Sequence, residues 1–362
     1  MLGLENIHKP MNQSMSKVLF FTKYSRLGAS SRLRFYQFKE LMENENITPT
    51  YKPLFDDDYI KRFNDGRRRF VFKYYVKRFV ELFTIFRYDF IVIEKELFPY
   101  LPPFFEFLIS YKNYIIDIDD AIFHNYDLNS NIFIRYFLKR KMDIVFKYSH
   151  TTIAGNNYLS DRALMNGANK VKILPTVINL KNYYQKKKQS KKDDLVIGWI
   201  GSPSTLKYLK SISKVLESLV EKYKVKIYIV GASENIGFNK NIFYFEWEES
   251  KEVDIISKFD IGVMPLTDTP WARGKCAYKL IQYMGCGIPS VASPVGMNKD
   301  IIKNRENGFL ATTENDWFNF LELLICNEKL RFSMGDNSFN FVKNSFTTDL
   351  VYKQFINYIT NN

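Results

Sequence analysis

Residues 272–296, ARGKCAYKLIQYMGCGIPSVASPVG, decide how the chain is read. Lys275 and Lys279 stand one helical turn apart at the start of a run with helical apolar spacing. Gly285 and Gly287 close that run, and Pro289 opens "PSVAS" (289–293), a strand pattern whose first residue needs no N–H. Lysines at i and i+4 fit a solvated helix face. They also fit a negatively charged group held at the helix start, where the backbone amides of about Cys276 to Tyr278, including Ala277, make an anion site and the lysines add point charge.

Working outward, apolar runs of strand length alternate with helical stretches on both sides of a polar break. Before it come "KVLFFT" (17–22), "YDFIVIEKE" (88–96), "NYIIDID" (113–119), "TTIAGN" (151–156) and "VKILPTVIN" (171–179), with a helix expected from Ser31 to Glu43. After it come "LVIGWIG" (195–201), one amphipathic helix over 205–223, "VKIYIVG" (225–231), "IFYFEW" (242–247), "DIGVMPL" (260–266), the quoted stretch, and a last helix over 346–362. Such alternation argues for mostly parallel sheets with helices on both faces. The expected division is a first domain over 1–180, a basic linker over 181–194, a second domain over 195–345 and a terminal helix from 346. Two Rossmann-like halves make a cleft, and ligands of such sheets bind at the carboxyl ends of the strands.

The composition sets outer limits. At 362 residues two domains are expected, and 46% apolar with 17% aromatic residues is globular. No uncharged apolar run is long enough to span a bilayer, and residues 1–16 are polar, with Met15 an alternative start. Cys276, Cys286 and Cys326 have neither metal nor disulfide spacing, which points to a reducing cytoplasm. A net charge of +13 favours an anionic partner, although a coding bias toward Lys and Asn produces the same excess.

The four segments "IGWIGSPST" (197–205), "IYIVG" (227–231), "FDIGVMPL" (259–266) and "GKCAYKLIQYMGCGIPSVASPVG" (274–296), in that order, resemble the carboxy-terminal half of the family-4 glycosyltransferases. The resemblance covers roughly 195–345 and extends more weakly to the amino half. It implies the GT-B fold, two Rossmann-like domains facing a cleft with the C-terminal helix returning toward the first. The quoted stretch matches the donor-binding motif of that family, glutamate, seven residues, glutamate. Here Gly274 and Gln282 occupy the two acidic positions. In the family the second acid binds the ribose hydroxyls, and a glutamine is still able to accept one such bond and donate another. The first acid approaches the donor sugar, so its loss bears on sugar identity.

The resemblance assigns Lys279 and Lys275 to the donor diphosphate. Gly201, Ser202, Ser204 and Thr205 follow a strand and open a helix, so their amides and hydroxyls meet a second side of that diphosphate, while Ser204 or Thr205 equally suits a helix N-cap. Lys207 lies where relatives carry a phosphate-binding lysine, and also reads as a surface residue. In the amino half, "SRLGASSRLR" (25–34) puts Gly28, Arg32 and Arg34 after the first strand, suited to an acceptor phosphate or to the donor diphosphate across the cleft, or simply to solvent. "IIDIDDAIF" (115–123) ends a strand in three carboxylates, which are costly there unless they bind something or face a wet cleft. Asp119 and Asp120 are read as cleft residues near the acceptor, whereas Asp117 and Asp119 form an acid-x-acid pair of a kind that holds a divalent metal in the other main transferase fold.

Residues 60–87, IKRFNDGRRRFVFKYYVKRFVELFTIFR, interleave basic and aromatic residues, the pattern of an amphipathic helix on an anionic membrane surface. Single-stranded nucleic acid uses the same ingredients, but no nucleic-acid motif accompanies them; a solvated basic face over an aromatic core stripe is the other reading. Taken with the resemblance, the expectation is a cytoplasmic glycosyltransferase, peripheral at the inner face of the plasma membrane. It would move a sugar from a nucleotide-diphosphate donor to a lipid-linked glycan with retention, without an essential metal or cofactor. Two alternatives stand: a non-catalytic nucleotide-binding subunit, favoured by the missing acids, and a metal-dependent transferase using Asp117 and Asp119.

Overall fold

The computed structural model describes residues 16–64, 67, 70–185 and 194–360. The alternative start at Met15, Arg68, Arg69 and most of the expected linker lie outside the described residues. The first sheet contains β1 (Ser16–Tyr24), β2 (Ile47–Phe55), β3 (Phe90–Glu94), β4 (Ile115–Ile118), β5 (Thr151–Ala154) and β6 (Val171–Ile173), ordered β2-β1-β3-β4-β5-β6 with every pair parallel. The second contains β7 (Leu195–Ile200), β8 (Val225–Val230), β9 (Ile242–Phe245), β10 (Ile261–Met264), β11 (Ser290–Ala292) and β12 (Gly308–Leu310), ordered β12-β11-β10-β7-β8-β9, again all parallel. The central strands are near-continuous apolar runs, because helices cover both faces: Val18 to Phe21, Ile91 to Ile93 and Ile115 to Ile116 are all buried.

Two strands were absent from the sequence reading. β2, ITPTYKPLF, carries Pro49 and Pro53 yet pairs with β1 from Ser16↔Ile47 to Tyr24↔Phe55. It lies at the sheet edge, where a missing N–H faces no partner strand. β12 is a three-residue edge strand.

Three expected helices are broken. The one from Ser31 is a helix over Ala29–Arg34, a tight turn over Tyr36–Phe38 and a helix over Lys39–Asn44. Phe35 leaves helical geometry at the first break, and Phe35 and Phe38 enter the core against Phe355. The helix from 205 divides into Leu206–Lys210 and Ser213–Lys222. The 60–87 stretch holds the end of a helix over Asp57–Asn64 and a separate helix over Phe72–Leu82.

The chain crosses between the domains twice, and the crossings pair: Ile178 N–H donates to Phe346 O (3.1 Å) and Thr348 N–H donates to Ile178 O (2.9 Å). The last helix, Thr348–Thr360, then buries Val351, Tyr352, Phe355 and Ile359 against Phe20, Phe35 and Phe38 of the first domain. The carboxyl ends of the two sheets thus face one cleft. Among the described residues no helix is long and apolar enough to cross a membrane.

Candidate active site

On the second-domain wall, the helix Tyr278–Gly285 follows Ala277, which adopts φ +50°, a left-handed conformation rare for a residue with a Cβ. In its first turn, Lys279 reaches back to the loop after β7. Its Nζ lies 3.4 Å from Thr205 Oγ1 and 4.2 Å from the Trp199 ring centroid. Gly201 is required here, since a Cβ would stand 2.4 Å from Lys279 Nζ and 2.6 Å from the Trp199 ring. No carboxylate pairs with Lys279 among the described residues. Burial first, then the like charge of Lys275, push its pKa down to about 7. Thr205 does not cap the following helix; its hydroxyl donates to Ser202 O (2.9 Å), and Ser202 and Ser204 share a hydroxyl contact of 2.9 Å. Lys207 is exposed, its Nζ beside the ring of Tyr208.

Gln282 is buried on the same helix, and its Nε2 donates to Glu252 Oε1 at 2.6 Å. Glu252, absent from the sequence reading, also accepts from Trp247 Nε1 (2.6 Å) and Tyr183 OH (3.5 Å). Burial raises the Glu252 pKa against the opposing pull of the Trp247 bond and Arg32. Arg32, from the first domain, spans the cleft to this wall, with its guanidinium 4.8 Å from the Trp247 ring centroid and 3.7 Å from Glu249. Arg26 joins it, 2.8 Å from the same carboxylate. Arg32 Nη1 is buried with no hydrogen-bond partner in the structure. Of the two ligands expected for Arg32, its position against Trp247 and Glu249 lies on the side of the one across the cleft.

Arg34, two positions on, points the other way. It grips Asp117 through both oxygens (2.9 and 2.6 Å) and donates to Leu174 O (2.7 Å), fully buried. It is not open to an acceptor phosphate, which corrects the second acceptor-side arginine. Gly28 precedes the helix carrying both arginines, as its N-cap.

The carboxylates at the ends of β3 and β4 are matched by cations. Lys95 Nζ lies 2.8 Å from Asp119 and 3.4 Å from Asp120, and the Ser30 hydroxyl, with one proton to give, lies within reach of both Asp119 (2.6 Å) and Glu94 (2.8 Å). Lys141 binds Glu96 at 2.6 Å. Burial opposes the Asp119 carboxylate, yet Lys95 and the Ser30 bond hold it below the ordinary range. The acid-x-acid pair is therefore divided between Arg34 and Lys95, and among the described residues no cluster of three His, Cys, Asp or Glu is arranged around a metal position. Asp120, its side chain a third exposed, is the most open of the three to solvent.

The walls touch at the quoted stretch. The Cys276 thiol meets Asp119 O at 3.0 Å, and Asn156 Nδ2 donates to Gly274 O (3.0 Å) and Lys275 O (3.2 Å). A Cβ at Gly274 would stand 2.5 Å from Ala121 Cβ. Any side chain at this position, where the resemblance expects an acid, would meet the opposite domain. Beyond this contact lies a cavity of about 390 Å³, lined by Asn156, Tyr158, Asp161, Arg273 and Lys299 among others.

Comparison with known proteins agrees with this geometry. Residues 181–341 match the family model described as Glycosyl transferases group 1. Sucrose-phosphate synthase from Thermosynechococcus elongatus superposes with TM-score 0.66 at 11% identity, over 94% of this chain and 97% of that one. HepE from Anabaena, in complex with UDP and glucose, gives 0.64 at 13%, over 94% and 98%. The lipopolysaccharide outer core galactosyltransferase WaaB gives 0.63 at 13%, over 94% and 98%. No curated protein matches the sequence. Residues 181–341 are thus similar to group 1 glycosyl transferases, and the chain as a whole shares the two-domain fold of these solved structures.

Proposed function

We propose that this chain is a retaining glycosyltransferase that takes a sugar from a nucleoside-diphosphate donor and adds it to a lipid-linked glycan, at the inner face of the plasma membrane, in the making of surface polysaccharide. The observation that carries the donor half is Lys279, a cation with no carboxylate partner among the described residues, set against the Gly201–Thr205 loop at a helix start. A diphosphate there meets Lys279, the hydroxyls of Ser202, Ser204 and Thr205, and the first amides of the helix Tyr278–Gly285. Lys275 adds charge from the preceding loop.

The chemistry follows from where charge grows. As the bond between the sugar and the leaving diphosphate lengthens, negative charge builds on the departing oxygens, and groups already fixed around it stabilise that state more than the bound donor. The lowered pKa of Lys279 fits this role, since an arriving diphosphate restores its full charge. Gln282 and Glu252 take the ribose hydroxyls, the carboxylate supplying from position 252 the acid that position 282 lacks. Arg32 closes over that pocket with its unpartnered Nη1. Asp120 and the Lys95-held Asp119 sit on the acceptor side, where a hydroxyl must lose its proton. Retention rests on the resemblance, and UDP in the HepE complex supports the donor class.

The deciding experiment titrates UDP, GDP, ADP and CDP into the full chain, then follows turnover of the matching nucleotide sugars with the product's anomeric signal read by NMR. Binding of one diphosphate, with donor-dependent release and an unchanged anomer, is the expected result. Binding without turnover toward any acceptor would leave the nucleotide-binding subunit as the better reading.

A further inference from the structure

The first domain leaves an aromatic face uncovered. The helix Phe72–Leu82 turns Tyr74, Arg78 and Leu82 inward and exposes Phe72, Phe79 and, beyond its end, Phe83 and Phe86. Contacts extend this face to the helix Phe104–Leu108 and to Tyr148 at the end of the helix Lys141–Tyr148: Phe79 packs on Phe105 (5.9 Å), Phe86 on Tyr111 (6.2 Å), and Phe107 on Tyr148 (5.0 Å). The helix Phe104–Leu108 exposes Phe104, Phe107 and Leu108; the helix Ile132–Leu138, joined through Lys139 and Arg140 to the helix Lys141–Tyr148, exposes Phe133 and Phe137 by 71% and 72%. The helices Phe104–Leu108 and Ile132–Leu138 lie outside the 60–87 segment that the sequence singles out. So many exposed rings on one domain mark an interaction site.

Charge identifies the occupant. Lys73, Lys77, Arg87, Arg135, Lys139 and Lys147 are exposed around these rings, while every Asp and Glu within residues 70–87 and 100–148 is buried or half-buried. Rings flanked by cations, with no exposed acid between them, match an anionic phospholipid surface. The face also joins the cleft. Lys95, which holds Asp119, stands nine residues before Phe104, and the connecting loop is pinned where Tyr100 N–H donates to Tyr126 Oη, whose own hydroxyl donates to Glu96.

We propose that the helices Phe72–Leu82, Phe104–Leu108 and Ile132–Leu138 form a bilayer-docking face, with rings in the acyl boundary and the basic rim on anionic head groups. The membrane then lies beside the β3 end of the cleft and delivers a lipid-linked acceptor to it; this delivery rests on the glycosyl-transfer reading, whereas the docking does not.

The test is co-sedimentation of the full chain with vesicles of phosphatidylcholine alone and of phosphatidylcholine with phosphatidylglycerol, at low and high salt. The chain is expected to bind the anionic vesicles and to keep part of that binding at high salt, because inserted rings are not screened. Phe133→Ser with Phe137→Ser, and separately Phe104→Ser with Phe107→Ser, lower partitioning by about ten-fold or more. Lys139→Glu with Lys147→Glu lowers capture by anionic vesicles only. Thermal melts of all three variants should match the parent, since the changed side chains are exposed. Absence of vesicle binding by the parent, or full binding by both serine variants, overturns the proposal. So does self-association of the parent, abolished by the serine changes, with no affinity for vesicles. Nucleoside-diphosphate titration on the same samples separates the two readings: a chain that binds vesicles but no nucleotide loses the transferase reading and keeps this face.

Discussion

Lys279 Nζ sits 4.2 Å from the Trp199 ring centroid and faces no carboxylate among the described residues. A lysine in that setting holds its proton weakly, and its pKa of about 7 follows from burial and from Lys275. An arriving diphosphate raises the pKa again, so above pH 7 binding takes up a proton. Donor affinity is therefore greatest near and below pH 7 and falls as pH climbs above it. Calorimetry in two buffers of different ionisation enthalpy reads the proton directly. Lys279→Ala should abolish the uptake and weaken binding about ten- to a hundred-fold, the worth of a charged hydrogen bond. Lys207→Ala, at an exposed position, should do neither. Equal small effects from both changes would return Lys279 to an ordinary surface role.

Gln282 reverses an expectation drawn from the motif. From the sequence, Gln282→Glu restores the family's acid and should preserve or improve activity. In the structure the amide nitrogen lies 2.6 Å from Glu252, so a glutamate places two carboxylates in contact. One of them must then hold a proton, and its pKa rises. Gln282→Glu should weaken nucleotide binding about ten-fold at neutral pH and recover as pH falls. Glu252→Gln should lose more affinity for a ribonucleoside diphosphate than for its 2′-deoxy form. An unchanged ribose preference in that variant would remove Glu252 from the ribose.

The central strands and the quoted helix were legible because buried parallel strands leave unbroken apolar runs. β2 was not, because Pro49, Lys52 and Pro53 interrupt the pattern and only its edge position explains them. Lys279 was legible from spacing, whereas Glu252 reaches Gln282 across thirty residues and carries no local signal. Arg32 and Arg34 show the limit most plainly. Two residues apart on a helix they point to opposite sides, so one spans the cleft to Trp247 and the other is locked on Asp117. Composition treats them alike, and only the partners brought by β4 and by the loop after β9 separate them.

Gly274 offers a test of domain approach. Restoring the family's acid with Gly274→Glu drives a side chain into Ala121, whose Cβ would lie 2.5 Å from the new Cβ. The cleft must widen, and the bonds from Asn156 to Gly274 O and Lys275 O stretch. Turnover should drop steeply while nucleotide binding, on the far side of Lys279, falls less. Small-angle scattering should show a larger radius of gyration. A variant as compact and active as the parent would mean that the contact at Ala121 yields at little cost.

Asp117 and Asp120 differ in what they hold. Asp117 neutralises Arg34 in a fully buried pair, so Asp117→Ala leaves an uncompensated guanidinium and should destabilise the fold by about 3–5 kcal/mol. Replacing both partners together, Arg34→Met with Asp117→Leu, removes the buried charge and should recover much of that loss. Asp120 is a third exposed and lies 3.4 Å from Lys95, a lysine that Asp119 already holds at 2.8 Å. Asp120→Asn should leave the unfolding midpoint within the range of an ordinary surface change, about 0.5 kcal/mol, and should act on turnover instead. Chemical denaturation with activity measured on the same preparations reads both effects. If Asp120→Asn proves as destabilising as Asp117→Ala, or leaves turnover untouched, the acceptor-side role of Asp120 is lost and the carboxylates at the end of β4 serve the fold alone.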